Sequence, residues 1–154
     1  MVRKAQISDL TALFKLYNTL FQLMEKMEPN YMKTPEEEEL FLISVLTEEN
    51  NLIAFVYEEH ENILGFVIAN LRDSPEYSNY IPQKAVYLVD IVVDENSRDQ
   101  GIGKALIDRV KEWGTENAVD YFELTVLSAN QAAIRLYERE GLIPFSVNMR
   151  MKMK

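Results

Sequence analysis

Apolar and polar positions change period along this chain, and each change marks an element. Val2 to Gln6 reads as a short opening strand, after which Ser8 or Asp9 caps a helix whose apolar stripe includes Leu13, Leu16, Tyr17 and Leu20. Pro29 ends that region. Pro35 suits the first turn of a second helix, with Glu36 to Glu39 against its positive end and Leu40, Ile43 and Leu46 predicted to face inward. Leu52 to Tyr57 and Ile63 to Leu71 are strand-like runs joined by the polar turn Glu58 to Asn62, a hairpin pattern. Arg72 to Lys84, broken by Pro75 and Pro82 and carrying Tyr77, Tyr80 and Ile81, reads as a loop.

The second half is more regular. Val86 to Val93 is rich in β-branched and aromatic residues and predicts a buried strand holding a single carboxylate, Asp90. Ile102, Ala105, Leu106, Val110 and Trp113 then recur at intervals of three and four, the stripe of an amphipathic helix that Gly114 weakens. Tyr121 to Val126 predicts another strand and Asn130 to Leu142 another helix. Met149, Met151 and Met153 alternate with Arg150, Lys152 and Lys154, which predicts a half-exposed last strand. The order is β-α-α-β-β-β-α-β-α-β, an α/β (α+β) chain with a mixed, mostly antiparallel sheet flanked by helices. At 154 residues and 47% hydrophobic content it is expected to form one domain, residues 1–154, and to bury roughly two thirds of its unfolded surface.

Composition narrows the chemistry. There is no cysteine, so a disulfide framework, a thiolate nucleophile and a zinc knuckle are all excluded, and a reducing compartment, the cytoplasm, is the expected location. No apolar run approaches the ~18 residues that would span a bilayer, so a soluble chain without a membrane partner is expected. Sixteen basic against twenty-five acidic residues give a net charge of −9, which argues against nucleic acid and would suit a cationic substrate. His60, the sole histidine, lies in the predicted hairpin turn, so Ser-His catalysis and a His-based metal site are not expected.

The candidate chemistry lies between the buried strand and the striped helix, at Arg98-Asp99-Gln100-Gly101-Ile102-Gly103. A strand, a glycine turn and a helix start form an anion cradle: the glycines let the main chain approach a ligand, and the helix's first free N–H groups and its dipole point toward it. Taken alone, a glycine pair before a helix also serves as a plain tight turn. No GxxxxGK[ST] pattern is present, and Leu106 stands where a dinucleotide fingerprint wants its third small residue.

Arg98, Gly101 and Gly103 match the Arg/Gln-x-x-Gly-x-Gly/Ala hallmark of the GNAT superfamily of acetyl-CoA-dependent N-acetyltransferases, and Asn130, Ala133, Tyr137, Gly141 and Leu142 match its following N-x-x-A-x-x-x-Y-x-x-x-G-F/L segment. Together, from Val86 to Gly141, the chain resembles that family; residues 1 to 85 are compatible with it. The resemblance implies direct acetyl transfer from acetyl-CoA to a primary amine of a small molecule or peptide in a ternary complex, without a metal, in a chain free to form a homodimer. It implies that Arg98, Asp99, Gln100, Gly101, Ile102, Gly103 and Lys104 cradle the CoA pyrophosphate, chiefly through main-chain amides. Ile91, Val92 and Val93 would pair with the pantetheine arm, and one of their amides would polarise the acetyl carbonyl. Asn130 would hold the pantetheine, although the residue is equally explained as a helix N-cap. Tyr137 would be the general acid for the departing thiolate; by periodicity alone it is a core tyrosine beside Ala133 and Leu136.

The general base departs from a common pattern. Many family members carry Glu just before the position of Asp90, and here that place is Val89. Asp90 is the candidate base, yet strict alternation puts it on the opposite face from Val89 unless the strand bulges there. A structural role for Asp90, or a water relayed to Asp90 or Glu123, fits the residues equally. A catalytically silent CoA-binding module and a small dinucleotide-dependent enzyme are the competing functions. Acceptor contacts are expected from the first two helices with their loop and from the loop before the central strand, where Glu25, Glu28, Tyr31, Tyr77 and Tyr80 suit a cationic or aromatic amine or serve as ordinary loop residues.

Overall fold

The computed structural model of this chain describes residues 1–36 and 39–154. In chain order the elements are β1 (Val2–Lys4), α1 (Leu10–Met27), α2 (Glu39–Leu46), β2 (Leu52–Glu59), β3 (Asn62–Asp73), β4 (Lys84–Val93), α3 (Ile102–Glu116), β5 (Tyr121–Leu124) and α4 (Gln131–Arg139), with short 3-10 turns before α1, β2 and α3. The strands lie in the order β1-β2-β3-β4-β5, each neighbour antiparallel except β4 and β5. A parallel pair cannot be closed by a tight turn, and α3 supplies the crossover between these two.

Both faces of the sheet are covered, which is why Leu52 to Val56 and Phe66 to Ala69 are buried without a break. One core holds Leu13, Tyr17, Leu42 and Val45 of the first two helices against Val56, Phe66, Ile68 and Val92. The other holds Ile102, Leu106, Ile107 and Val110 against Phe55, Val67, Val86 and Leu88. Each of these fully buried side chains contributes about 1.5–3 kcal/mol. The β2–β3 hairpin closes through His60 and Glu61, both at left-handed φ (50° and 63°), a two-residue primed turn that leaves His60 exposed.

Several sequence expectations are corrected. Glu37 and Glu38 lie outside the described residues, but α2 begins at Glu39, so Pro35 and Glu36 precede the helix. Its buried face is Leu42 and Val45, with Leu46 packed beside them, while Leu40 and Ile43 are exposed. Four consecutive apolar residues, Leu40 to Ile43, fix no stripe, and packing chooses the face. Asp9 stands at the N-cap of α1 without a side-chain cap bond. Its carboxylate instead takes the Gln6 N–H at 2.7 Å and pairs with Arg3 at 2.9 Å.

Gly114 does not weaken α3, which continues to Glu116; a Cβ there would meet Val119 and Val86 at 3.0 Å, so the glycine lets the helix lie close on β4. The predicted strand around Met149 to Met153 is absent. Residues 142–154 form no regular element and join no ladder among the described residues. Among the described residues no helix is long and apolar enough to cross a membrane.

Candidate active site

β4 and β5 pair only from Ala85 with Tyr121 to Leu88 with Leu124. Beyond that point they part, and a cleft of about 420 Å³ opens between Leu88–Val93 on one side and Thr125–Leu127 on the other. The predicted strand to Val126 therefore stops two residues early, and that early stop opens the site. Among the described residues β4's outer edge, from Val89 to Val93, has no strand beside it.

At this position β4 also bulges. Ala69 pairs with Leu88 and Ile68 with Asp90, leaving Val89 as the extra residue. Val86 and Leu88 face the α3 core, and after the bulge Ile91 and Val93 pack on that same core. Val89, Asp90 and Val92 are turned to the α1 side. Strict alternation would have separated Val89 from Asp90; the bulge puts them on one face.

Asp90 there meets a residue that the sequence reading placed only in an apolar stripe. The Tyr17 hydroxyl donates a hydrogen bond to Asp90 Oδ2. Tyr17 is buried, stacked on Phe21 at 4.2 Å between ring centroids and edge-on to Phe66 at 5.5 Å. The available signal was chemical, since a buried phenol needs an acceptor and a strand carboxylate needs a donor.

The turn forms the next wall. Asp94 is anchored by its N–H to the Leu64 carbonyl at 2.8 Å, and its side chain accepts from Asn96 N–H at 3.1 Å. Asp99 (φ 60°) and Gly101 (φ 81°) then wind the chain left-handedly into α3. The first bond of the α3 ladder runs from Ala105 N–H to the Gly101 carbonyl at 3.0 Å, so the amides of Ile102, Gly103 and Lys104 are the helix's unspent donors. Arg98, Asp99, Gly101, Ile102, Gly103 and Lys104 all line the cleft; Gln100 does not. A Cβ on Gly101 would meet nothing within 4 Å, so the main chain is open to a close ligand at this point. The Lys104 ammonium is held at 2.7 Å from Asp108, whose hydrogen bond raises its pKa, and 3.7 Å from Glu140.

α4 completes the enclosure. Asn130 is its N-cap, with Oδ1 accepting the Ala133 N–H at 3.2 Å, and it also lines the cleft. Tyr137 is buried at the cleft wall. Burial pushes its hydroxyl up to about 12, and the charge of Asp90 adds to that shift. It therefore stays a neutral phenol through the physiological range, and among the described residues no protein group accepts its proton.

The other candidates fall elsewhere. Glu123 points out of β5 and does not line the cleft. Glu25 accepts the Thr34 hydroxyl at 2.6 Å and ties down the loop after α1. Tyr31 is exposed beneath the Arg150 guanidinium, and Tyr77 and Tyr80 lean on each other with centroids 6.3 Å apart. None of these four acceptor candidates lines the cleft; its α1 side is built by Leu20, Leu23 and Met24.

With this geometry in place, the family model described as "Acetyltransferase (GNAT) family" matches residues 10–142. Over 56 residues the chain is 39% identical to a thialysine N-epsilon-acetyltransferase of Sus scrofa, a match spanning 36% of this chain and 33% of that protein, about a third of its length. Among solved structures, a variant of the BH1408 protein from Bacillus halodurans superposes with a TM-score of 0.93 at 22% identity, covering 100% of this chain and 99% of that one. The aminoglycoside N-acetyltransferase AAC(6')-Iy in complex with CoA gives 0.77 at 17% identity, covering 100% and 99%. The same enzyme with a bisubstrate analogue joining CoA to monomethyl-acetylneamine gives 0.74 at 19% identity, covering 100% and 97%. These structural likenesses show the fold.

Proposed function

The chain belongs to the acetyltransferase (GNAT) family, and we propose that it carries acetyl from acetyl-CoA to a primary amine of a small molecule or peptide. The observation that carries the reading is the meeting, in one cleft, of unspent α3 amides, an unpaired β4 edge, Asp90 and a tyrosine held protonated. The residues fit the cosubstrate. The amides of Ile102, Gly103 and Lys104, with the open main chain at Gly101, suit a pyrophosphate at a helix start. Ile91 to Val93 offer main-chain groups for a pantetheine arm to pair with as a strand would, and an amide there suits the oxygen that becomes negative during attack. Acetyl-CoA supplies the activated acyl group and the thiol that leaves.

An amine with pKa near ~10.4 must lose a proton before its nitrogen attacks. In our reading Asp90 takes it, directly or through water, with its carboxylate aimed by Tyr17. Tyr137 returns a proton to the departing thiolate. The step balances: one N–C bond forms and one C–S bond breaks, the ammonium proton passes through Asp90 to solvent, and a second proton shed by the acylated nitrogen restores on Tyr137 the one given to sulfur. No metal is needed for it.

The test is thiol release from acetyl-CoA across polyamines, amino acids, peptide N-termini, aminoglycosides and thialysine. Amine-dependent release with at least one class is expected. Acetyl-CoA binding without release for any amine would instead favour a silent CoA-binding module.

A further inference from the structure

The cleft changes character from one end to the other. At the turn it is charged: Arg98, Asp99, Lys104 and Glu140 line it, and the Glu140 carboxylate is already held by Lys111 at 3.1 Å and by Lys104 at 3.7 Å. On the α1 side it is apolar. Leu20 lies one helical turn beyond Tyr17, and Leu23 and Met24 lie one turn further along the same stripe, all three half-buried at the cleft wall. Leu127 joins them from the wall beyond β5. Among the described residues, Leu23, Met24 and Leu127 belong to neither core, so these side chains are apolar surface that the fold itself does not use. Asp90 is the one cleft carboxylate on this side.

We propose that the acceptor is an amine carrying one ammonium group on a hydrocarbon body, alkyl or arylalkyl, and that Leu20, Leu23 and Met24 select it. The proposal rests on the acetyl-transfer reading and narrows it. One carboxylate matches one ammonium, and the rest of such an acceptor meets apolar side chains. A second ammonium, as in a polyamine or an aminoglycoside, would lie against Leu23 and Met24 without a partner, and taking an unpaired charge out of water costs more than those contacts return. Size points the same way. The cleft holds about 420 Å³, near the lower end of the ~300–1,000 Å³ of ligand pockets, and the end of the pantetheine arm takes part of it. The net charge of −9 attracts cations of every kind. The α1 wall decides which of them is used.

The test is kcat/KM for thiol release from acetyl-CoA with propylamine, butylamine and pentylamine, set against an aminoglycoside and against 1,4-diaminobutane, which has the length of pentylamine but a second ammonium in place of its methyl group. A rise of about fourfold per added methylene is expected, with pentylamine preferred over the diamine by about a hundredfold or more. Leu23→Glu gives the second ammonium a partner. Leu23 stands in neither core, so the fold and acetyl-CoA affinity should hold, while the preference for pentylamine shrinks by about tenfold or more. The wild-type series decides the acceptor class without the variant. A diamine or an aminoglycoside used as well as pentylamine overturns the proposal and leaves acetyl transfer standing. Acetyl-CoA binding with no release to any amine removes both. A preference unchanged in Leu23→Glu, with acetyl-CoA affinity intact, contradicts selection by this wall.

Discussion

On the turn side of the cleft the candidate contacts come from one short stretch, Arg98 to Lys104 without Gln100, and chiefly from main-chain amides. On the α1 side Tyr17 meets Asp90 across 73 positions of sequence, through side chains. The first wall depends on backbone conformation, which a glycine and a helix start dictate locally. The second depends on a bulge at Val89 and on which helix happens to cross it. The difference has a practical consequence: a change on the turn side is expected to alter binding, and one on the α1 side the chemistry.

The largest effect should follow Gly101→Asp. Its Cβ has free space, and Asp tolerates left-handed φ at a cost of about 1 kcal/mol, or about 2–4 °C in Tm. Its carboxylate would nevertheless face the pyrophosphate. CoA affinity is expected to fall at least a hundredfold by calorimetry, and unchanged affinity would break the assignment of the turn.

Tyr137→Phe comes next and removes only a hydroxyl. Acetyl-CoA affinity should hold while kcat falls by roughly 10²-fold, as is usual for losing a positioned acid. With the phenol pushed up to about 12 by burial, the wild-type enzyme should show no loss of this acid through the physiological range. The deficit of the variant should shrink above the thiol pKa of ~8.5, where thiolate departs unaided. Wild-type kcat across pH would return Tyr137 to a packing role.

Tyr17→Phe sharpens the other wall. The ring contacts with Phe21 and Phe66 remain, but the carboxylate of Asp90 loses a donor that favours its charged form. Acetyl-CoA affinity should hold while kcat falls roughly tenfold, the scale of a lost hydrogen bond to a charged group. Wild-type kcat would show that the hydroxyl does not aim the carboxylate.

The smallest effect belongs to the Arg3–Asp9–Glu58 cluster, which joins β1, the 3-10 turn and β2. The hydrogen bond from Arg3 holds the Asp9 carboxyl below its usual range. A depressed folded pKa contributes stability that is present above the unfolded value, about 4, and is lost as pH falls through the folded one. Asp9→Asn should therefore lower Tm by a few degrees at pH 7 and by progressively less toward pH 3, as read by a thermal melt. An equal drop at both would remove the ion pair as the cause.

What was legible in the sequence follows the same division. Arg98 to Gly103 and Asn130 to Tyr137 stand out in the sequence because what marks them is local: a left-handed glycine, a helix start, a cap. The family and the order of elements as far as α4 were legible for the same reason. Tyr17 was not, because its periodicity is identical to that of a core residue and its partner lies 73 positions away. The face of α2 was misread because Leu40 to Ile43 are all apolar. The alternation over Met149 to Lys154 predicts a strand that the fold does not form, because alternation alone cannot supply the neighbour that makes one.

The most direct test of the central claim, that this cleft is a CoA site, is calorimetric titration of the purified chain with CoA and, separately, with NAD. Saturable binding of one CoA per chain, with NAD silent, is the expected result. Tight binding of NAD with no heat from CoA would contradict the account.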